Sequence, residues 1–322
     1  MNGLSKDSAT WHEVDIESAG QRVDNYLTKR LKGVPKSHIY RILRNGEVRI
    51  NSRRVRPDYR VQAGDRLRLP PLRTAKPASV PGRATVSRLN ADVIYEDDHL
   101  LVINKAAGVA VHGGSGISHG VVEQLRLERP QARFLELVHR LDRSTSGVLM
   151  LAKRRSALTE LHRQLREGRV AKIYWVLVKG RWREDQRSVR LPLRKYVLAS
   201  GERRVAVKDD GLAAHTVFRL QRSWSAFSLL EAELKTGRTH QIRVHLAHLG
   251  FPVAGDDKYG DFALNKQLAP RGLKRMFLHA LKAVVTHPQS GALLTLEAPL
   301  PAELKAFLST LDVEQARAAQ TR

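Results

Sequence analysis

Two arginines flank a lone carboxylate in the stretch Val138-His139-Arg140-Leu141-Asp142-Arg143-Ser144-Thr145-Ser146-Gly147. A carboxylate beside fixed cations stays ionised and can attack an electrophilic carbon, the first half of a covalent mechanism. The same Arg-Asp-Arg pattern also fits a solvated surface turn, because exposed ion pairs are common and contribute little. Spacing alone does not separate the two. A second dense stretch, Thr236-Gly237-Arg238-Thr239-His240-Gln241-Ile242-Arg243-Val244-His245-Leu246-Ala247-His248, carries three histidines. They lack the i, i+4 spacing of a helical metal pair, and no carboxylate is interleaved, so no metal is expected. His139 or His240 with Asp142 would suit a hydrolase, but no Ser or Cys stands in an elbow such as G-x-S-x-G. His112-Gly113-Gly114-Ser115-Gly116 has the glycines of a phosphate cradle without its Lys-Ser/Thr or its strand-to-helix context.

These residues need elements to hold them. The apolar run Val148–Ala152, closed by Lys153, reads as a buried strand, which puts Asp142 in a loop at the mouth of a sheet. Ser144, Thr145, Ser146 and Gly147 supply turn chemistry for that loop. Lys172–Val178 alternates, with Lys172, Tyr174, Val176 and Val178 on one face and Ile173, Trp175 and Leu177 on the other. The histidine-rich stretch reads as extended, Gln241, Arg243 and His245 opposing His240, Ile242 and Val244. Ser156 is placed to cap a helix with the stripe Leu158, Leu161 and Leu165, and Gly168 lies just past its end. Strands are expected at Val93–Tyr95 and Leu100–Asn104, and a closing hairpin at Leu281–Val285 and Ala292–Glu297. A short helix over Glu303–Leu311 should follow, then a frayed tail over 312–322.

Before this enzyme-like part, over 91–311, stands a small basic unit spanning 13–72. Val23, Tyr26, Leu27 and Leu31 recur at helical spacing. Pro35 opens a second helix whose apolar stripe is Ile39, Ile42 and Leu43, and Gly46 sits where a helix ends. A strand Glu47–Ile50, a turn at Asn51-Ser52 and a strand Arg66–Leu69 follow. Lys36, Arg41, Arg44, Arg49, Arg53 and Arg54 fall off the apolar stripe and can form one cationic face. Residues 73–90, rich in Pro, Ala and Ser, read as a linker.

The charge agrees. In 322 residues, 56 Lys and Arg stand against 32 Asp and Glu, a net charge of +24. Self-repulsion of that size calls for a polyanionic partner, nucleic acid first and an anionic membrane surface second. High charge also argues for a monomer. With no cysteine, disulfides, thiolate catalysis and Cys-ligated zinc are excluded. No apolar leader region and no run of about 18 apolar residues are present, so cytoplasm and no membrane are expected.

HRLDRSTSG resembles the signature of the pseudouridine synthases of the ribosomal large-subunit type. Lys172-Ile173-Tyr174 and GRTHQIRVH are similar to two further family elements, and VPKSHIYRILRNGEVRIN resembles the αL-motif RNA-binding domain of a ribosomal small-subunit protein. VHGGSG and ARFLELVHRLDR place the resemblance nearest the large-subunit rRNA group C of that family. The resemblance implies an α+β fold, an S4-type RNA-binding domain followed by a catalytic domain with a large mixed, mainly antiparallel sheet flanked by helices. It implies that Asp142 is the catalytic nucleophile, that Arg243 pairs with it, and that Tyr174 lies against the target base with Ile242 packed nearby. Arg140 would fill the gap left when the nucleotide flips. The implied activity is isomerisation of specific uridines to pseudouridine in 23S ribosomal RNA, in a precursor or partly assembled particle, without a cofactor. The family's proline after the lysine of Asn104-Lys105 is replaced here by Ala106. A competing reading is an RNA-binding ribosome-assembly factor without catalysis; loss of Asp142, Arg243 or Tyr174 would mark it, and all three are present.

Overall fold

A computed structural model describes residues 8–31, 33–72, 91–113 and 120–320. The expected linker over 73–90 and Gly114-Ser115-Gly116 of the glycine loop lie outside them. The chain divides into two units, Met1–Ser87 and Arg88–Arg322.

The first unit contains β1 (Thr10–Glu13), α1 (Val23–Arg30), α2 (Lys36–Arg44), β2 (Arg49–Ile50), β3 (Arg53–Arg54) and β4 (Arg66–Leu69), with sheet order β1-β4-β2-β3. The apolar positions of α1 and α2 bury as their spacing predicts: Val23, Tyr26 and Leu27 from one, Ile39, Ile42 and Leu43 from the other. Pro35 is the N-cap of α2, and Gly46 takes the left-handed conformation (φ 71°) that ends it. Asn51 (φ 49°) and Ser52 (φ 67°) form a two-residue turn with both φ values positive, which matches the twist of the β2–β3 hairpin. β1 has no forerunner in the sequence pattern; it is only four residues long and is recruited by β4, Thr10 opposite Leu69.

The second unit runs β5 (Asp92–Glu96), β6 (Leu100–Lys105), α3 (Val121–Glu128), β7 (Glu136–Leu137), β8 (Ser146–Ala152), α4 (Arg155–Arg166), β9 (Ala171–Lys179), β10 (Gln186–Val189), β11 (Leu193–Val197), β12 (Arg203–Val207), β13 (Thr216–Ser223), β14 (Phe227–Leu234), α5 (Gln241–His248), α6 (Phe262–Leu268), β15 (Leu278–Thr286), β16 (Leu293–Glu297) and α7 (Ala302–Gln320). The main sheet has the order β10-β13-β14-β9-β15-β8-β6-β5, with β16 added to β15 and β7 to β8; β11 and β12 form a separate hairpin. β8 is buried on both faces. Leu149 and Leu151 join a core with Val121 and Leu125 of α3 and Ile242 and Leu246 of α5. Val148 and Met150 join one with Leu158 and Leu161 of α4. That double burial is why its sequence is an unbroken apolar run. Its pairing with β15 is parallel, His279 opposite Ser146 and Ala280 opposite Gly147.

Three expectations need correction. Residues 241–248 are the helix α5, not an extended segment. Six of its eight residues are buried, Gln241 through Leu246, so no polar face marks a helical period. Ser156 is not the cap of α4: the N-cap is Arg154, without a side-chain bond. The last helix does not stop at Leu311 but continues to Gln320. No described helix is long and apolar enough to cross a membrane.

Candidate active site

Asp142 lies in the loop between β7 and β8, which is fastened from three sides. Its own carbonyl accepts from Thr145 N at 3.1 Å. Lys105, at the end of β6 and only 2% exposed, donates from Nζ to the carbonyls of Ala106 (2.8 Å), Val109 (2.9 Å) and Arg143 (3.2 Å). Burial, then the nearby Arg275, pull its pKa down to about 7, against the opposing charge of Asp142. Arg275 Nη2 donates to Ser146 Oγ at 2.7 Å. His279 Nε2 faces the Ala298 carbonyl at 3.1 Å and so carries the proton, which leaves Nδ1 to accept from Ser146 Oγ at 2.9 Å. Burial holds that imidazole neutral, with a pKa near 4.

Arg243 projects from α5 to the same point. Its Nε and Nη2 donate to the two oxygens of Asp256, both at 2.7 Å, a buried bidentate pair. The remaining Nη1 donates to Asp142 Oδ2 at 3.0 Å. Burial acts against the guanidinium charge, but Asp256 and then Asp142 more than offset it and push the pKa of Arg243 upward. Burial alone would raise Asp256; Arg243 and the N–H groups of Tyr259 and Lys258 bring it below its ordinary value instead.

His240 caps α5 in the left-handed region, φ 54° and ψ 22°, a conformation that non-glycine residues adopt at a cost. Its Nδ1 is 2.8 Å from Tyr259 Oη, and that oxygen already accepts from Val205 N at 2.9 Å. Tyr259 therefore donates to Nδ1, and the proton of a neutral His240 sits on Nε2, 3.8 Å from Asp142 Oδ1. Arg243 Cζ stands 5.1 Å over the Tyr259 ring. One oxygen of Asp142 is thus clamped while the other is next to a donor it does not touch.

Tyr174, 8% exposed on β9, belongs to the same apolar cluster as Ile242, itself 4% exposed. Burial, then the charge of Asp142, push its phenol well above the ordinary tyrosine range, so it stays protonated. Arg140 is exposed and makes no ion pair among the described residues. The structure thus brings Asp142 and Arg243 into contact, with the Tyr174–Ile242 cluster built from the strand and helix beside them. His245 is spent on structure, its Nδ1 at Thr216 and its Nε2 at the Leu191 carbonyl. His139 Nε2 accepts from Met150 N, and burial lowers its pKa to about 4.

In the first unit Lys36, Arg41, Arg44, Arg49, Arg53 and Arg54 are all exposed. Arg49 and Arg54 are directly opposed across the β2–β3 pair, like charges that repel unless an anion lies over them. The Arg54 side chain also covers Gly46, at the end of α2.

Sequence reasoning assigns no chemistry to Lys105, Asp256 or Tyr259, and weighs His240 only as a metal ligand or a hydrolase partner of Asp142. Asp256 and Tyr259, in Gly255-Asp256-Asp257-Lys258-Tyr259-Gly260, read only as structural, since nothing local names Arg243 or His240 as their partners. A lysine ending the apolar strand β6 was a usable signal for Lys105.

Residues 99–248 match the family model described as RNA pseudouridylate synthase, and residues 21–67 match the S4 domain. The chain is 51% identical over 303 residues to the ribosomal large subunit pseudouridine synthase C of Escherichia coli (strain K12), covering 92% of this chain and 95% of that protein. The protein of the same name from Pasteurella multocida (strain Pm70) is 51% identical over 301 residues, 92% of each chain. Among solved structures, human RNA pseudouridylate synthase domain containing 1 matches with a TM-score of 0.57 and 27% identity, covering 69% of this chain and 89% of that one. Identity of this extent, over nearly the full length and with both domain types present, makes the chain a member of the RNA pseudouridine synthase family with an S4 domain at its N-terminal side.

Proposed function

We propose that this enzyme converts specific uridines to pseudouridine in large-subunit ribosomal RNA, with Asp142 as nucleophile. The single observation that carries the assignment is the asymmetric seating of Asp142: Oδ2 is held by Arg243 at 3.0 Å, and Oδ1 has no hydrogen bond among the described residues, His240 Nε2 standing 3.8 Å away. The relatives' names supply the RNA class.

The reaction breaks the bond between the sugar C1′ and the uracil N1, turns the base, joins C5 to C1′, and releases the C5 proton while N1 takes one up. Nothing is oxidised or lost. A base inside structured RNA must first be extruded, which costs about a few kcal/mol. Arg140, exposed two residues before Asp142, is placed to fill the vacated stack and hold the backbone. Tyr174 and Ile242 offer the extruded ring an apolar seat. Tyr174 starts as a neutral phenol, raised in part by the Asp142 charge. Bonding of Oδ1 to the substrate removes that charge, so the phenol becomes a better acid as the intermediate forms.

The six cations of the first unit supply sequence-independent grip on RNA phosphates. The reading includes a cytoplasmic monomer acting on a precursor or partly assembled particle. The Arg243–Asp142 contact, with the Tyr174 phenol near enough to feel the Asp142 charge, favours it over an RNA-binding assembly factor without catalysis. The test is pseudouridine mapping of ribosomal RNA from cells lacking the protein, complemented with wild type or Asp142→Ala. Sites that vanish, return with wild type and stay absent with Asp142→Ala support the assignment. An unchanged large-subunit map, or restoration by Asp142→Ala, overturns it.

A further inference from the structure

Lys172 lies in β9 two residues before Tyr174. The buried cations of this site have acceptors: Lys105 has three carbonyls, Arg243 has Asp256 and Asp142, and Arg275 has Ser146 and Glu303. Lys172 has no hydrogen-bond or ion-pair partner among the described residues, although it is largely withdrawn from water. Burial alone, with no compensating carboxylate, pulls its pKa below the ordinary lysine value.

Its position gives the missing partner a chemistry. Lys172 Nζ lies 3.9 Å from the point a Cβ on Gly237 would occupy. Gly237 begins the turn that leads to His240 and Arg243. On the other side, the Lys172 charge reaches His139, which leads to Arg140 and Asp142. The ammonium therefore stands where the two site-forming segments converge. A half-buried cation left unpaired there weakens the fold, and an anion brought beside it offsets that cost. No carboxylate among the described residues reaches it, and a phosphodiester of the substrate strand is an anion the reaction brings to this place.

We infer that Lys172 binds one backbone phosphate flanking the target uridine, fixing the extruded nucleotide between the Asp142 loop and the Gly237 turn. This rests on the reading of Asp142 as nucleophile. It separates a site-specific phosphate contact from the general grip of the first unit.

The experiment uses full-length enzyme and an RNA hairpin carrying a mapped target uridine, with a single neutral methylphosphonate moved through the phosphates on either side. Single-turnover rates and RNA affinities are measured for wild type, Lys172→Met and Lys172→Arg. One phosphate should be critical, its neutralisation slowing wild type about 10-fold to 100-fold, as misplacement of a reacting group does. Lys172→Met should show the same loss on unmodified RNA, no further loss on the critical methylphosphonate, and RNA affinity within about 3-fold. Lys172→Arg should recover most of the rate. The inference fails if no single phosphate matters to wild type, a result independent of whether any variant folds. It also fails if the two losses multiply, or if Lys172→Met keeps the wild-type rate. If wild type does not convert the unmodified hairpin, or Asp142→Ala does, the failure belongs to the underlying reading instead.

Discussion

Arg243 Nη1 donates to Asp142 Oδ2 over 3.0 Å, although the two residues are 101 positions apart. The geometry is not set by this pair alone. Asp256 takes both of the other donors that Arg243 points its way, so the guanidinium plane is fixed before Asp142 meets it. Asp142 is aimed by a cation that is itself aimed by a buried carboxylate.

Arg243→Met should therefore do two kinds of damage. It leaves Asp256 buried without its cation, a loss of about 3–5 kcal/mol for a broken buried pair. It also frees Asp142 to rotate. Urea unfolding should show the stability loss, and pseudouridine formation should vanish at temperatures where the variant is still folded. A variant of wild-type stability would contradict the proposed dependence of Asp256 on Arg243.

The Tyr174 phenol gives a pH prediction. Its folded pKa lies above the ordinary value of 10.0. Above that pH the unfolded chain loses a proton that the folded chain keeps, so stability falls as pH rises past 10. Tyr174→Phe should make that alkaline decline shallower in denaturant titrations; other tyrosines, such as Tyr259, also contribute. Below pH 10 the phenol should add no alkaline limb to the conversion rate. Because phenylalanine keeps the ring, Tyr174→Phe should leave RNA binding intact and slow conversion about 10²-fold, the range for loss of a proton-transfer group. A rate equal to wild type would assign Tyr174 to packing only.

Gly147 should tolerate no side chain. Its φ is 111°, and a Cβ would stand 2.2 Å from the Ala280 carbonyl oxygen. Gly168 also has positive φ, 69°, but nothing lies within 4 Å of its Cβ position. Gly168→Ala should then lose only about 1–2 kcal/mol of backbone strain. Gly147→Ala must also displace β15, and should lose roughly 3 kcal/mol or more along with activity. Thermal melting of the two variants side by side distinguishes the contributions; equal losses would argue that the close approach to Ala280 is unimportant.

The opposed pair Arg49 and Arg54 predicts an effect on salt dependence. If both meet phosphates, Arg49→Ala with Arg54→Ala should reduce the slope of log affinity against log salt by about 1.4–1.8, from 0.7–0.9 per contact. Filter binding at several salt concentrations measures it. Stability should not fall, because the substitution removes a repulsion on an exposed hairpin. An unchanged slope would remove this face from the RNA contact.

Much of this was legible where local pattern and burial agree. The apolar stripe of α2 and its terminating Gly46 were readable, as were the unbroken apolar run of β8 and the alternation of β9. α5 was not. His-Gln-Ile-Arg-Val-His alternates as a strand does, includes β-branched residues, and is buried on too many sides to show a helical stripe. Its direction is set by a left-handed His240 that only the Tyr259 contact makes intelligible. β11, β12 and α6 left too little pattern to be assigned. Asp142 stood out in sequence, whereas its supports, Lys105, Asp256 and Tyr259, act through contacts between distant segments. Such contacts have no local sequence period.

The parallel seam between β8 and β15 has a consequence for the order of biosynthesis. The first sheet closes at Leu69, so the RNA-gripping unit has all its strands early in translation. Asp142 emerges much later, and its loop still lacks the Ala280 rail, the His279 imidazole and the Arg275 strut until the last part of the chain has left the exit tunnel. A nascent chain thus completes its S4 unit well before the rail that seats Asp142, and a truncation between β4 and β15 leaves the first without the second.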